Sequence, residues 1–289
     1  MDSSDGAAVV VGVDGSEPAL RAVRLAAIEA TRRRRPLRVV HGFIWPLLHV
    51  PPSAPAGGGL REQAEQIVAT AVAEAGTAAP GVRVTGEIID GEAAAVLLGE
   101  TATAAMIVLG DRGLGGFSAL VVGSVAIQVA SYADCPVLVA RGAPRGDGPV
   151  VVGVDGSESS TLALGFAADT AAARGAELLA LHAYRHPTST GPGDMQPLVY
   201  DEGLLHGEEE RVLAESLAGL ADRYPEVRVT PRAVRARPGK ALTEASRTAQ
   251  LLVVGGQGRG EFTGLLLGSV SQSVLHHADC PVAVVRGPR

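Results

Sequence analysis

The chain has 289 residues, 46% hydrophobic and 19% charged, which is enough for one large domain or two small ones with their own cores and excludes a disordered tail protein. With 25 Lys and Arg against 31 Asp and Glu the formal charge is −6, which argues against nucleic-acid binding by bulk charge. Two cysteines, Cys135 and Cys280, are too few for a disulfide framework or a thiolate metal cage, and only 3% aromatics means a core of Val, Leu, Ile and Ala at close spacing, as in layered α/β folds.

The opening "MDSSDGAAVVVGVDG" has no basic region followed by an apolar one. No window of the chain reaches the roughly 18 uninterrupted apolar residues that span a bilayer, so a cytoplasmic protein with no membrane partner is expected. Val9 to Val13, apolar and bounded by Asp14-Gly15-Ser16, predicts a strand buried on both faces. Ser16 can cap the helix that follows, in which Leu20, Val23, Ala27 and Ala30 recur at helical spacing. Arg32 to Arg35 reads as the solvated end of that helix, where cations suit the dipole, rather than as a nucleic-acid patch. Leu37 to Phe43 is a second strand, followed by the Pro- and Gly-rich loop Trp45 to Gly59, a helix around Glu62 to Ala75 and a weaker strand near Val82 to Ile89. A helix, the strand "AAMIVLG", a Gly-rich loop, a helix and the strand "CPVLVAR" close this half.

The pattern then starts again. "VVVGVDGSE" occurs at Val9 and at Val150, an offset of 141, while "ADCPV" occurs at Ala133 and Ala278, an offset of 145. Ser157 takes the place of Ser16 as a cap, Glu177 to Tyr184 is the second strand, and Arg185 to Pro197 is the long loop. A helix around Glu208 to Leu220 and a strand near Val227 to Val234 follow, then "AQLLVVGG" and "CPVAVVR". The expectation is two α/β domains of the Rossmann-like (flavodoxin-like) parallel-sheet type, spanning 1–143 and 149–289, with 144–148 as the linker in "RGAPRGDGP".

The chemistry concentrates in the glycines after the fourth strand. Gly110 and Gly113 are followed by nine residues and Gly123-Ser124; Gly255 and Gly258 are followed by nine residues and Gly268-Ser269. Backbone N–H groups and a helix dipole converge in such a turn, and glycine lets an anion approach the backbone. A lone Gly-rich loop is more often just a turn, but identical spacing in two copies favours a phosphate cradle. The Walker pattern and the G-x-G-x-x-G fingerprint are absent, since "RPGKAL" around Gly239-Lys240 lacks the upstream Gly and the following Ser or Thr. No nucleophile, base and orienting residue stand at recognisable spacing, so no catalytic residue is assigned. His276, His277 and Cys280 face Ser131, Tyr132 and Cys135 in the other copy, a poor basis for a metal site. His41 and His182 at equivalent strand ends read as packed, hydrogen-bonded residues.

On these residues, together with "VVVGVDGSE" and "HADCPVAVVR", the chain resembles a tandem universal stress protein of the ATP-binding type over essentially 8–141 and 149–286. The resemblance implies a five-stranded sheet per domain with ATP across the carboxyl ends of the strands. It implies roles for Asp14 and Asp155 at the ribose or phosphates, with a second reading as turn caps, and for Gly42 and Ala183 at the adenine. Gly110, Gly113, Gly123 and Ser124, and Gly255, Gly258, Gly268 and Ser269, would hold the triphosphate. Gly12, Gly153, Gly115, Gln257, Gly260 and Val270 join the cofactor-binding set, with Arg112 and Arg259 adding charge and magnesium near Asp14 or Asp155. Asp111 departs from the pattern: an acid beside a triphosphate repels it unless it turns outward or meets magnesium, so the first site is expected to be the weaker. The resemblance also implies that the last strands, Val137 to Ala140 and Val282 to Val285, pair within the chain, and that tandem chains form a homodimer. The expected function is a nucleotide-dependent regulator or sensor in the stress response, reading out to a protein partner. The alternatives are a slow ATP hydrolase or phosphotransferase, and a nucleotide-free interaction scaffold.

Overall fold

Strands such as Val9–Gly12 and Val137–Ala140 are apolar on both faces and need cover on both, and the fold supplies it with helices. The computed structural model describes residues 7–44, 58–113, 122–143, 145–185, 202–258 and 267–287. Its contacts divide the chain into Met1–Gly142 with Pro281–Arg289, and Ala143–Cys280. The loop expected at Trp45 to Gly59 lies outside the described residues except for its last two, and that at Arg185 to Pro197 except for Arg185.

The first unit runs β1 (Val9–Gly12), α1 (Glu17–Arg32), β2 (Leu37–Phe43), α2 (Gly58–Ala78), β3 (Val84–Asp90), α3 (Ala93–Glu100), β4 (Met106–Gly110), α4 (Ser124–Tyr132) and β5 (Val137–Ala140). The second runs β6 (Val150–Gly153), α5 (Glu158–Arg174), β7 (Leu178–Tyr184), α6 (Glu202–Ser216), α7 (Leu220–Arg223), β8 (Val229–Arg235), α8 (Pro238–Ser246), β9 (Leu251–Gly255) and α9 (Ser269–His277), and the last strand is β10 (Val282–Val285). Strands in the first unit lie in the order β3-β2-β1-β4-β5-β10, and in the second β8-β7-β6-β9. The order 3-2-1-4-5 is that of the Rossmann sheet, not the 2-1-3-4-5 of flavodoxin. Pairing is parallel from β3 through β5, and β10 closes the first unit antiparallel, with Val282 opposite Val139 and Val284 opposite Val137. The last strands therefore pair as the resemblance implied, and β10, written in the second copy, belongs by its contacts to the first unit.

Local chemistry explains the elements. Ser16 Oγ accepts the Ala19 N–H at 3.3 Å and Ser157 Oγ accepts that of Ser160 at 3.1 Å, so both predicted caps form. The buried face of α1 is mostly alanine (Ala19, Ala22, Ala26, Ala27 and Ala30), which lets the helix backbone lie close to the sheet. β3 and β8 are weak in the sequence because they are edges, half exposed, and β8 accommodates Pro231 where a central strand would not. The single helix expected at Glu208 to Leu220 is two, because Gly219 adopts φ +74° and breaks it between α6 and α7. The expected linker is anchored to the second unit: Arg145 Nη1 donates to Asp279 O at 3.1 Å and Gly148 O accepts from Gln250 Nε2 at 2.7 Å.

The arginine run is less solvated than expected. Glu29, only 2% exposed, is held by Arg32 at 3.1 Å and Arg33 at 3.4 Å, so two of the four arginines neutralise a buried carboxylate. Replacing both by alanine should lower the unfolding free energy by about 2–4 kcal/mol in urea titration, because it strips partners from a buried charge, whereas an exposed pair contributes about 0.2–1 kcal/mol. A loss at the lower of these levels would contradict the role. Cys135 and Cys280 are core residues as expected, and burial pushes the Cys135 thiol up to about 12. Native protein at pH 8 should therefore leave Cys135 unmodified by iodoacetamide, with labelling appearing only on unfolding.

Candidate functional site

The connections from β1 and β4 leave in opposite directions, as do those from β6 and β9, and in such sheets a crevice opens at the carboxyl ends of the two strands. In each domain three pieces of chain build that crevice. The first is the turn after β1 or β6. Asp14 Oδ1 accepts the Ser16 N–H at 3.0 Å; Asp155 Oδ1 accepts the N–H and hydroxyl of Ser157 at 3.0 and 2.6 Å. Both aspartates thus fold the turn that opens the next helix, as the turn-cap reading has it. His41 and His182 support the same turn from below, each donating Nδ1–H to a strand-end carbonyl, Val13 O or Val154 O, at 2.7 Å. His182 Nε2 also lies 2.7 Å from Glu209 on α6. They are packed, bonded residues, as expected.

The second piece is the strand-four end. A Cβ on Gly110 would lie 2.8 Å from Pro18 O, and one on Gly255 would lie 2.9 Å from Ser159 O, so these glycines admit the first turns of α1 and α5. Glycine at 42 likewise answers to packing, since a Cβ there would lie 2.7 Å from Ala93 Cα at the start of α3. Gly113 and Gly258 face the Asp14 and Asp155 carboxylates, where a side chain would collide. Gly12 and Gly153 end β1 and β6 under leucine side chains.

The third piece is the helix start. Gly123 N–H donates to Asp111 O and Gly268 N–H to Gly256 O, both at 2.8 Å, which draws the two ends of each glycine loop together. Gly123 and Gly268 are the N-cap residues of α4 and α9, and neither helix has a side-chain cap. Among the described residues no side chain caps their first N–H groups. The nearest neighbours of a Cβ at Gly123 or Gly268 would lie at 3.6 and 3.4 Å, ordinary contact. Protein packing does not require glycine there, unlike at 110, 255 or 42. Ser124 and Ser269, both exposed, open the helices.

In the second domain these pieces enclose a cleft of about 620 Å³ lined by Gly153, Asp155, Ala183, Gly255, Gln257, Gly258, Gly268, Ser269 and Val270. Every described site residue expected in that copy lines it. Gly115, Arg259 and Gly260 lie outside the described residues. The sequence missed the apolar wall of Leu181, Pro238, Leu242 and Val254, and Ser271, whose hydroxyl donates to Gly255 O at 2.6 Å. Pro238 had a signal, as a proline opening a helix beside the weak third strand. The leucines carried none beyond core periodicity.

The first domain differs in charge. Asp111, 7% exposed, does not stand free beside the cradle; its carboxylate meets Arg21 on α1 at 3.1 Å, with Arg112 Nε at 3.9 Å. The repulsion expected at the first site is cancelled by this pairing. Arg112, expected to face a ligand, is exposed and sits beside Asp111.

No helix among the described residues is long and apolar enough to cross a membrane. The universal stress protein family matches residues 7–141 and 148–286. The chain is 38% identical to a universal stress protein of Mycobacterium tuberculosis, covering 97% of this chain and 95% of that one. It is 37% identical to one of Mycolicibacterium smegmatis, covering 96% of each. In structure it is similar to a universal stress protein of Archaeoglobus fulgidus, with a TM-score of 0.70, 20% identity and 99% of both chains covered. The chain therefore belongs to the universal stress protein family, with two family domains in tandem.

Proposed function

We propose that the protein binds adenine nucleotide, ATP foremost, at the carboxyl ends of the strands in each domain and acts as a cytoplasmic nucleotide-dependent regulator or sensor. The observation that carries this reading is the start of α9: an uncapped helix beginning at a glycine that packing does not demand, at the edge of a cleft with an aliphatic wall. An anion accepting the first N–H groups would complete the cap, and the bare Cα lets it come close. Leu181, Pro238 and Leu242 suit the flat, apolar face of a base. Asp155 is the only carboxylate among the described residues of that cleft, and Asp155 Oδ1 is already bonded to Ser157. The described residues include no group of three His, Cys, Asp or Glu able to hold a metal, so magnesium would arrive with the phosphates and use Asp155, or Asp14 in the first domain, as one further ligand. With so few titratable groups, holding and sensing fit the site better than fast turnover. Binding would shift the surface presented to a protein partner or a second tandem chain.

Protein purified without added nucleotide should release ATP on denaturation, up to about two per chain, read by chromatography and mass spectrometry. A protein that is empty and takes up no added ATP would leave the scaffold reading instead. In calorimetry Asp155→Ala should cost about 1.5–3 kcal/mol of ATP affinity at the second site, the scale of a hydrogen bond to a charged group. Gly268→Ala should weaken ATP at least about tenfold while changing thermal stability little, whereas Gly255→Ala should destabilise the fold by about 1–3 kcal/mol through its clash with the Ser159 backbone. If the two glycine variants behave alike, Gly268 has no special place in binding.

A further inference from the structure

The two cradles share a backbone but are braced differently. In the first domain Asp111 is the hinge of the loop: its carbonyl accepts the Gly123 N–H at 2.8 Å, and its carboxylate is held by Arg21 at 3.1 Å with Arg112 at 3.9 Å. At the offsets of the two copies these three positions are Leu162, Gly256 and Gln257 in the second domain, none of them charged. There the brace is neutral, with the Gln257 N–H donating to Ser159 Oγ at 3.3 Å, and Ser159 is Pro18 in the first domain. Gly256 is buried and absent from the cleft lining, while Gly255, Gln257 and Gly258 line it. Each domain therefore ties its loop to the first helix, one by an ion pair and the other by a hydroxyl.

With Arg21 matched to Asp111, the first brace keeps a single positive charge, carried by Arg112, whose side chain is 59% exposed. The Asp111 side chain is only 10% exposed, so without Arg21 its negative charge would be poorly screened and felt by an anion at the loop more than a surface charge would be. We infer that Arg21, Asp111 and Arg112 form a specificity element of the first domain, in which Arg21 is a positioning residue that cancels Asp111 and tilts the site toward polyphosphate over monophosphate nucleotides. This rests on the reading of the cleft as a nucleotide site. It reverses the order suggested by Asp111 in the sequence, where the acid predicts a weakened first site.

The test uses the full chain with the second site silenced by Gly268→Asp, and reads the ratio of ATP to AMP affinity by calorimetry. Arg21→Leu, the second domain's residue, leaves the brace with no net charge and should lower the ratio about threefold to tenfold. Asp111→Asn adds a positive charge and should raise it by a similar factor. Combining Arg21→Leu with Asp111→Gly restores the single charge and should return the ratio to near that of the parent. A brace with a purely structural role would instead lower ATP and AMP binding alike in both single variants, without rescue, and that result overturns the inference. Should Arg21→Leu fail to fold, the sign of the Asp111→Asn effect decides by itself. If the parent takes up neither nucleotide at the first domain, the nucleotide reading of that site falls, and the inference with it; binding without the charge order overturns the inference alone.

Discussion

The arrangement of each domain depends on one close approach: the first turn of α1 against the end of β4, and of α5 against the end of β9. Only a bare Cα at Gly110 and Gly255 admits it, because a methyl there would sit within 3 Å of helix backbone. The alanine faces of α1 and α5 extend the same short distance along the sheet. With the helix drawn in, the Asp-Ser turn that starts it is brought beside the glycine loop leaving the neighbouring strand. Gly113 and Gly258 can then lie directly against the aspartates.

From that contact the rest of the cleft follows as a division of labour among glycines. Those at 42, 110, 113, 255 and 258 answer to neighbouring protein atoms, while Gly123 and Gly268 answer to none at short range. A helix start with no side-chain cap is costly to leave in the protein interior but suited to an anion at a crevice. The histidines under the turns, His41 and His182, hold the strand-end carbonyls in place without facing chemistry of their own.

Duplication preserved this skeleton and let its electrostatics diverge. The first domain carries an ion pair and a second arginine behind the loop, and the second replaces them with leucine, glycine and glutamine. His182 gains Glu209 as a partner in the second domain, and Tyr184, bonded to His206 at 2.7 Å, stands where the first has Phe43. The two copies thus share their turns and differ in the charges behind them.

The sequence by itself determined the duplication, the alternation of strands and helices, both serine caps and the spacing of the glycine loops. All of these are written in residues a few positions apart, through periodicity and turn chemistry. The edge strands β3 and β8 were only weakly legible because half-exposed strands need little apolar content. Tertiary structure alone decided that Asp111 turns to an arginine 90 residues away, that Leu181, Pro238 and Leu242 form one wall, and that β10 completes the first unit. The reason is physical: the direction of a side chain and the partner of a strand are set by what packing brings near, and the identity of Asp111 alone predicted repulsion where its neighbour supplies neutralisation.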